Sequence, residues 1–186
     1  MYKQFSIKKY LDELAAKSAV PGGGSAAALS AAMGAALISM VVNFTLGKPK
    51  FEKHSLELKK ILNSSEKLRF QCLSLVDLDA VAYKSKNVRD AMGVPFMLCR
   101  LCFEGIKLCP PLLTKSNPNL ISDVAVAAVL LESAFVSAYF NVEINLRLLP
   151  DDKFAVGVRK ELDDKTKVIK RIRLQMEERV GKIIRG

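Results

Sequence analysis

The chain has 186 residues, half of them hydrophobic, and a formal net charge of +10 from 29 Lys+Arg against 19 Asp+Glu. That length is enough for one domain with a buried core, without disulfide staples, and the hydrophobic fraction excludes an intrinsically disordered chain. Val, Leu, Ile and Ala prevail over aromatics, Trp is absent, and the few glycines and prolines are clustered, so long uninterrupted helices are expected.

A first amphipathic helix is predicted after Ser6, its N-cap, because Ile7, Tyr10, Leu11 and Leu14 recur at helical spacing opposite Lys8, Lys9, Asp12 and Glu13. It stops before Pro21-Gly22-Gly23-Gly24. The next segment, Ser25 to Phe44, is apolar on every side, and its length raises the question of a membrane span. Its first half is alanine, serine and glycine, and no other stretch resembles a span. It is therefore read as the buried central helix of a bundle, with no membrane partner. Lys48-Pro49-Lys50 interrupts the chain, and a long helix follows from about Glu52 to Lys84.

Pro95 suits the first turn of the next helix, which Pro110-Pro111 is expected to end. Ser122 and Asp123 stand where an N-cap belongs, opening a helix from about Val124 to Leu149. Pro150-Asp151-Asp152 then starts a charged amphipathic helix that ends near Ile184. No strand pattern or repeat is found. The expected fold is all-α, a bundle of about six helices, several of them long, forming one domain over residues 1–186.

Cys72, Cys99, Cys102 and Cys109 raise a metal or redox reading, because Cys99-x-x-Cys102 is a ligand-type pair. A closed zinc site needs four ligands, and the chain offers one histidine, His54, and no second pair. Cys99, Cys102 and Cys109 instead fall on one helix face among Leu98, Leu101 and Ile106. They read as core thiols, no metal is expected, and a reducing cytoplasm fits. The positive charge admits nucleic acid, but acids are interspersed along the basic C-terminal helix and no aromatics are interleaved for base stacking. Nucleic acid is disfavoured. A solvated helix face and an acidic small ligand both remain open.

Three features stand out as chemistry. Gly22, Gly23, Gly24 and Ser25 precede the buried helix, where a glycine run serves either as a turn or as a floor for close approach of a ligand to a helix N-terminus. Asp77 and Asp79 are two apart on the long helix and so face different ways. One of them can point into a cavity, where an apolar pocket would raise its pKa and suit it to proton exchange, although both can equally be surface acids. Asn117 and Asp123 flank a helix start, and Asn141 and Asn145, four apart, share a face. Asparagine matches the mixed donor–acceptor edge of a heterocycle, and it also serves interhelical hydrogen bonds.

Taken in order, Pro21-Gly-Gly-Gly-Ser-Ala-Ala-Ala, Asn43-Phe-Thr with Gly47-Lys48, Val76-Asp-Leu-Asp-Ala, Ser122-Asp123 and Tyr139-Phe-Asn-Val-Glu-Ile-Asn-Leu-Arg resemble the formiminotetrahydrofolate cyclodeaminase/methenyltetrahydrofolate cyclohydrolase family over the whole chain. The resemblance implies an all-helical homodimer with sites at the subunit interface. It implies closure of 5-formiminotetrahydrofolate to 5,10-methenyltetrahydrofolate with loss of ammonia. The alternative is cyclohydrolase chemistry between 5,10-methenyl- and 10-formyltetrahydrofolate. Asp79 matches the catalytic carboxylate. Gly22, Gly23, Gly24, Ser25, Asn117, Asp123, Asn141 and Asn145 match segments around the folate pocket. No cofactor beyond the tetrahydrofolate substrate is implied, and Lys48 and Lys50 are assigned to the rim that attracts a polyglutamate tail. The family's glycine ahead of its asparagine is Ser116 here. The connection Lys84–Val94 is shorter than usual, which would open the pocket to water and favour hydrolysis over deamination, or signal lost activity. A non-catalytic helical dimer that binds folate or a protein is the reading from a different class.

Overall fold

The computed structural model describes residues 1–85, 88–148 and 153–186, all of the regular structure being helical. The helices are α1 (Ile7–Ala15), α2 (Gly23–Asn43), α3 (Ser55–Ser85), α4 (Val88–Ile106), α5 (Cys109–Lys115), α6 (Ile121–Leu146) and α7 (Lys153–Arg185). The six expected helices are present, and α5, a helix of 7 residues, is added to them.

Helix α2 occupies the centre, packed on α3 and α6, while α4 closes against α6 and α3, and α7 lies over α6. Small residues make this possible. A Cβ at Gly34 would stand 3.0 Å from Leu131 Cγ and 3.2 Å from the Ala127 carbonyl, so the α2 and α6 backbones approach closely only because position 34 is glycine. Ala28, Ala31, Ala35, Ala127, Ala128, Ala134 and Ala138 are buried along the same seam. Around it Ile38, Leu58, Leu98, Leu131, Phe135 and Leu162 are fully buried. Each such side chain contributes about 1.5–3 kcal/mol relative to exposure.

Helices α2 and α6 run antiparallel. At one end Gly23 faces the Asn141 amide, and at the other the Asn117 N–H donates to Thr45 Oγ1 at 3.0 Å. Gly47, just beyond α2, has φ +79, a left-handed conformation that explains a glycine where the chain turns.

Several boundaries differ from the sequence expectation. Ser6 caps α1 as expected, its Oγ accepting from the Lys9 N–H at 3.2 Å. Pro95 is not in a first turn: α4 begins seven residues earlier, at Val88, and Pro95 lies inside it, buried. Pro110-Pro111 follows the end of α4 but also opens α5, where a missing N–H leaves no helical bond unmade. Neither Ser122 nor Asp123 caps α6. Its N-cap position is Leu120, with no side-chain bond, and Asn117 instead caps the preceding short turn by accepting from the Asn119 N–H. The expected start of the last helix at Pro150-Asp151-Asp152 lies outside the described residues. Of the connection Lys84–Val94, residues 88–94 are helical and Lys86 and Asn87 lie outside the description.

Pro118–Leu146 joins Gly23–Asn43 as a stretch long and apolar enough to cross a bilayer by length and composition, where sequence reading singled out only the second of these. The two helices pack on each other at the middle of the bundle. All four cysteines are free and buried, and burial pushes Cys72, Cys99 and Cys109 up to about 12, so they are core thiols held far from thiolate character.

Candidate active site

The N-terminus of α2 has no cap of its own. Its N-cap is Gly22, without a side chain, so the first N–H groups of the helix need an acceptor from elsewhere. Asp79 on α3 supplies one: its Oδ2 accepts the Ser25 N–H at 3.0 Å. The close approach is possible because residue 24 is glycine. A Cβ there would lie 2.1 Å from Asp79 Oδ1 and 2.7 Å from Cγ. Burial raises the Asp79 carboxyl above its ordinary value, and the Ser25 N–H pulls it back only in part. The group is thus a carboxyl poised to exchange a proton, kept oriented by one main-chain bond.

Asp79 faces a cavity of about 330 Å³. Gly22, Gly23 and Gly24 form its floor with Ala19 and Val20, on the loop that carries the cis Val20–Pro21 peptide. Tyr83, one turn beyond Asp79, lines a second side, Ala91 and Pro95 of α4 a third, and Asn141, Ile144 and Asn145 of α6 a fourth. Asn141 Nδ2 donates to the Ser137 carbonyl at 2.8 Å and Asn145 Nδ2 to the Asn141 carbonyl at 2.7 Å. These bonds to the preceding turn fix both amides on the cavity wall. An amide so held keeps an acceptor oxygen and a second N–H to offer a ligand edge.

Ser25 contributes through its backbone. Its hydroxyl, fully buried, donates to the Val76 carbonyl and pairs with the Tyr10 hydroxyl, both at 3.0 Å, so it ties α1, α2 and α3 together behind the site. Asp77 and Asp79 do face different ways. Asp77 is only 4% exposed, its Oδ1 takes the Lys3 N–H at 3.4 Å, and its Oδ2 is the one buried side-chain oxygen or nitrogen without a partner among the described residues.

Of the residues singled out from sequence, Gly22, Gly23, Gly24, Asp79, Asn141 and Asn145 converge on this cavity. Asn117, Asp123, Lys48 and Lys50 do not. They lie at the other end of α2 and α6, about 30 Å away by the length of a 21-residue helix. Tyr83, Ala91, Pro95 and Ile144 also line the cavity and were not singled out for it. Tyr83 is four residues from Asp79 and Ile144 lies between the two asparagines on one face, so helical spacing alone could have found both.

A helical bundle with a partly buried carboxyl facing a small cavity of mixed apolar and polar lining between its helices has the architecture of a small-molecule enzyme. The chain belongs to the formiminotransferase-cyclodeaminase family, whose model matches residues 6–86 and 84–164. It is 37% identical over 181 residues to a methenyltetrahydrofolate cyclohydrolase of Methylorubrum extorquens, covering 85% of this chain and 87% of that one. It is 33% identical over 177 residues to the formimidoyltransferase-cyclodeaminase of Rattus norvegicus, covering 83% of this chain but 33% of that longer one. The crystal structure of formiminotetrahydrofolate cyclodeaminase from Thermotoga maritima superposes with a TM-score of 0.93 at 26% identity, over 99% of this chain and 100% of the other. The chain is therefore an all-α enzyme of the cyclodeaminase/cyclohydrolase family of folate one-carbon metabolism.

Proposed function

We propose that the chain is a methenyltetrahydrofolate cyclohydrolase, with Asp79 as its proton-transfer group. The observation that carries this is the Asp79 carboxyl, raised by burial and held by the Ser25 N–H, in a cavity floored by main chain. The 37% identity to a cyclohydrolase over nearly the whole of both chains supports the choice of reaction.

In this reading water adds to the bridging carbon of 5,10-methenyltetrahydrofolate as Asp79 takes one of its protons. The carbon–N5 bond of the resulting carbinol then breaks, and Asp79 returns that proton to N5. The carbinol hydroxyl loses its proton to solvent, leaving the formyl group on N10. One proton is released for each water consumed. A single carboxyl serves both transfers because its raised pKa brings the two protonation states closer in energy at neutral pH. Asn141 and Asn145 hold the pterin edge, and the glycine floor lets the ring approach the main chain.

The second reading is cyclodeamination of 5-formiminotetrahydrofolate, favoured by the close superposition on the Thermotoga maritima enzyme. There the same carboxyl would accept the N10 proton and deliver it to the departing nitrogen as ammonia leaves.

The divided set of residues favours a homodimer. Val126, Val129, Ser133, Phe140 and Ile144 fall on one face of α6, are exposed and carry no charge, and Met33 on the neighbouring α2 is 48% exposed. A two-fold axis across this antiparallel face would bring the Asn117, Asp123, Lys48 and Lys50 end of one protomer to the Asp79 cavity of its partner. Lys48 and Lys50 would then meet the glutamate tail of a folate leaving the cavity. The four buried free cysteines fit a reducing cytoplasm.

The test is an assay of purified protein with each substrate, following methenyl absorbance. Hydrolysis without ammonia release supports the first reading, and ammonia release from the formimino substrate replaces it with the second. Binding of either folate without turnover would make the chain a non-catalytic binder.

A further inference from the structure

Proline inside a helix removes the hydrogen bond that its N–H would give to the carbonyl four residues earlier. In α4 that proline is Pro95, the eighth residue of the helix, and the carbonyl belongs to Ala91. The sequence thus leaves one main-chain acceptor without the donor every ordinary residue would bring. Its position is the informative part. Ala91 and Pro95 are one turn apart, and both line the cavity that holds Asp79. The Ala91 carbonyl points along the helix toward position 95, so it lies on the stretch of α4 that faces the cavity. Ala91 is half-buried beside the buried Pro95.

From this we infer that the Ala91 carbonyl is a substrate-binding acceptor, presented by Pro95, that takes an N–H from the ring or the exocyclic amine of the reduced pterin. The inference rests on the folate reading of the cavity and adds to it the element that reads the ring's donor side. Asn141 and Asn145 stand on the adjoining α6 wall and can each donate or accept. A carbonyl can only accept, so it selects a donor at one place on the ring and disfavours a lone pair there. Pro95 is therefore a specificity-determining position that acts through the main chain of its neighbour.

The test restores the missing donor. Pro95→Ala and Pro95→Val each supply an N–H to the Ala91 carbonyl, and valine keeps most of the apolar bulk of the ring. The probe is 5-formyltetrahydrofolate, a stable relative of both candidate substrates, titrated by calorimetry against the full chain. Both variants should keep a Tm at or above wild type, because an ordinary residue suits a helix interior better than proline. Both should bind the probe about five- to tenfold more weakly, the size of one net hydrogen bond. Wild-type affinity in both variants overturns the inference and leaves the role of Asp79 standing. Weak binding by the alanine variant with full recovery in the valine variant assigns the effect to ring packing and also overturns it. A wild-type chain that melts cooperatively yet binds no folate removes the folate reading itself and this inference with it.

Discussion

Asp79 and Gly24 touch across two helices, the carboxylate lying where any side chain on residue 24 would have to go. The contact makes the two positions interdependent. A glycine at the start of α2 lets a carboxylate from α3 reach the Ser25 N–H, and that bond in turn orients the carboxylate toward the cavity.

Gly24→Ala should therefore damage catalysis more than folding. The new methyl group would stand 2.1 Å from Asp79 Oδ1, so the carboxylate must rotate away from Ser25. Overpacking of this kind costs roughly 1–3 kcal/mol of stability. Displacing the proposed proton-transfer group should lower kcat by about 100-fold or more. Steady-state rates beside thermal unfolding of the same preparation check both halves. A variant with near wild-type kcat would separate the carboxylate from the chemistry.

Asp79→Asn should remove most turnover, by about 10²–10⁴-fold, because an amide can accept the Ser25 N–H but cannot shuttle a proton. Its effect on stability has the opposite sign. The folded protein raises the Asp79 pKa, so it holds the proton more tightly than the unfolded chain does. That contribution is complete below the unfolded-state pKa and is lost as pH rises through the folded-state value. At neutral pH the half-buried carboxylate therefore opposes folding, and the variant should melt at a higher temperature than wild type. The gap should narrow as the medium is acidified and the wild-type carboxyl takes up its proton. Melting curves across pH decide this, and a variant less stable than wild type at neutral pH contradicts it.

Tyr10→Phe should act through the scaffold. It deletes the hydroxyl partner of Ser25 Oγ but leaves Ser25 its bond to the Val76 carbonyl. The expected loss is about 1 kcal/mol in denaturant unfolding, with KM unchanged. A raised KM would place Tyr10 nearer the ligand than the structure does.

Val129→Glu tests the proposed dimer. The residue is 39% exposed on the uncharged face of α6 and far from the cavity end of that helix. A charge there should leave the monomer folded and make the sedimenting species half the mass of wild type, with loss of turnover. An unchanged oligomeric state would move the interface elsewhere.

Much of the fold was legible because helix periodicity is local. Ile7 to Leu14, the alanine-rich α2 and the Cys99–Cys102 pair of α4 each declare themselves within a few turns, whereas Cys109, expected on that same helix face, opens α5 after α4 has ended at Ile106. Pro95 misled for a physical reason: a proline is a reliable helix start only where no carbonyl is waiting for its N–H, and sequence alone does not reveal that α4 begins at Val88. Ser122 and Asp123 had the right residue types for a cap, but Asn117 took that role on the turn before. In the site, Asp79 and the glycines came from a matching motif. That Asp79 crosses from another helix to the uncapped N-terminus of α2 is a property of the folded chain, not of any local pattern. The separation of Asn117, Asp123, Lys48 and Lys50 from the cavity is equally a three-dimensional fact, since residues close in sequence to a motif can be a whole helix away from it.

The opposed directions of α2 and α6 have a genetic consequence. If each site draws on both ends of the bundle through a two-fold partner, a chain disabled at Asp79 and a chain disabled at Asn117 fail for unrelated reasons. Co-expressed in equal amounts and assembled at random, they would form hybrid molecules in which both lesions fall in one site and the other is intact, giving back about a quarter of normal sites. Two inactive alleles would rescue each other, and the rescue would vanish for two lesions at the same end.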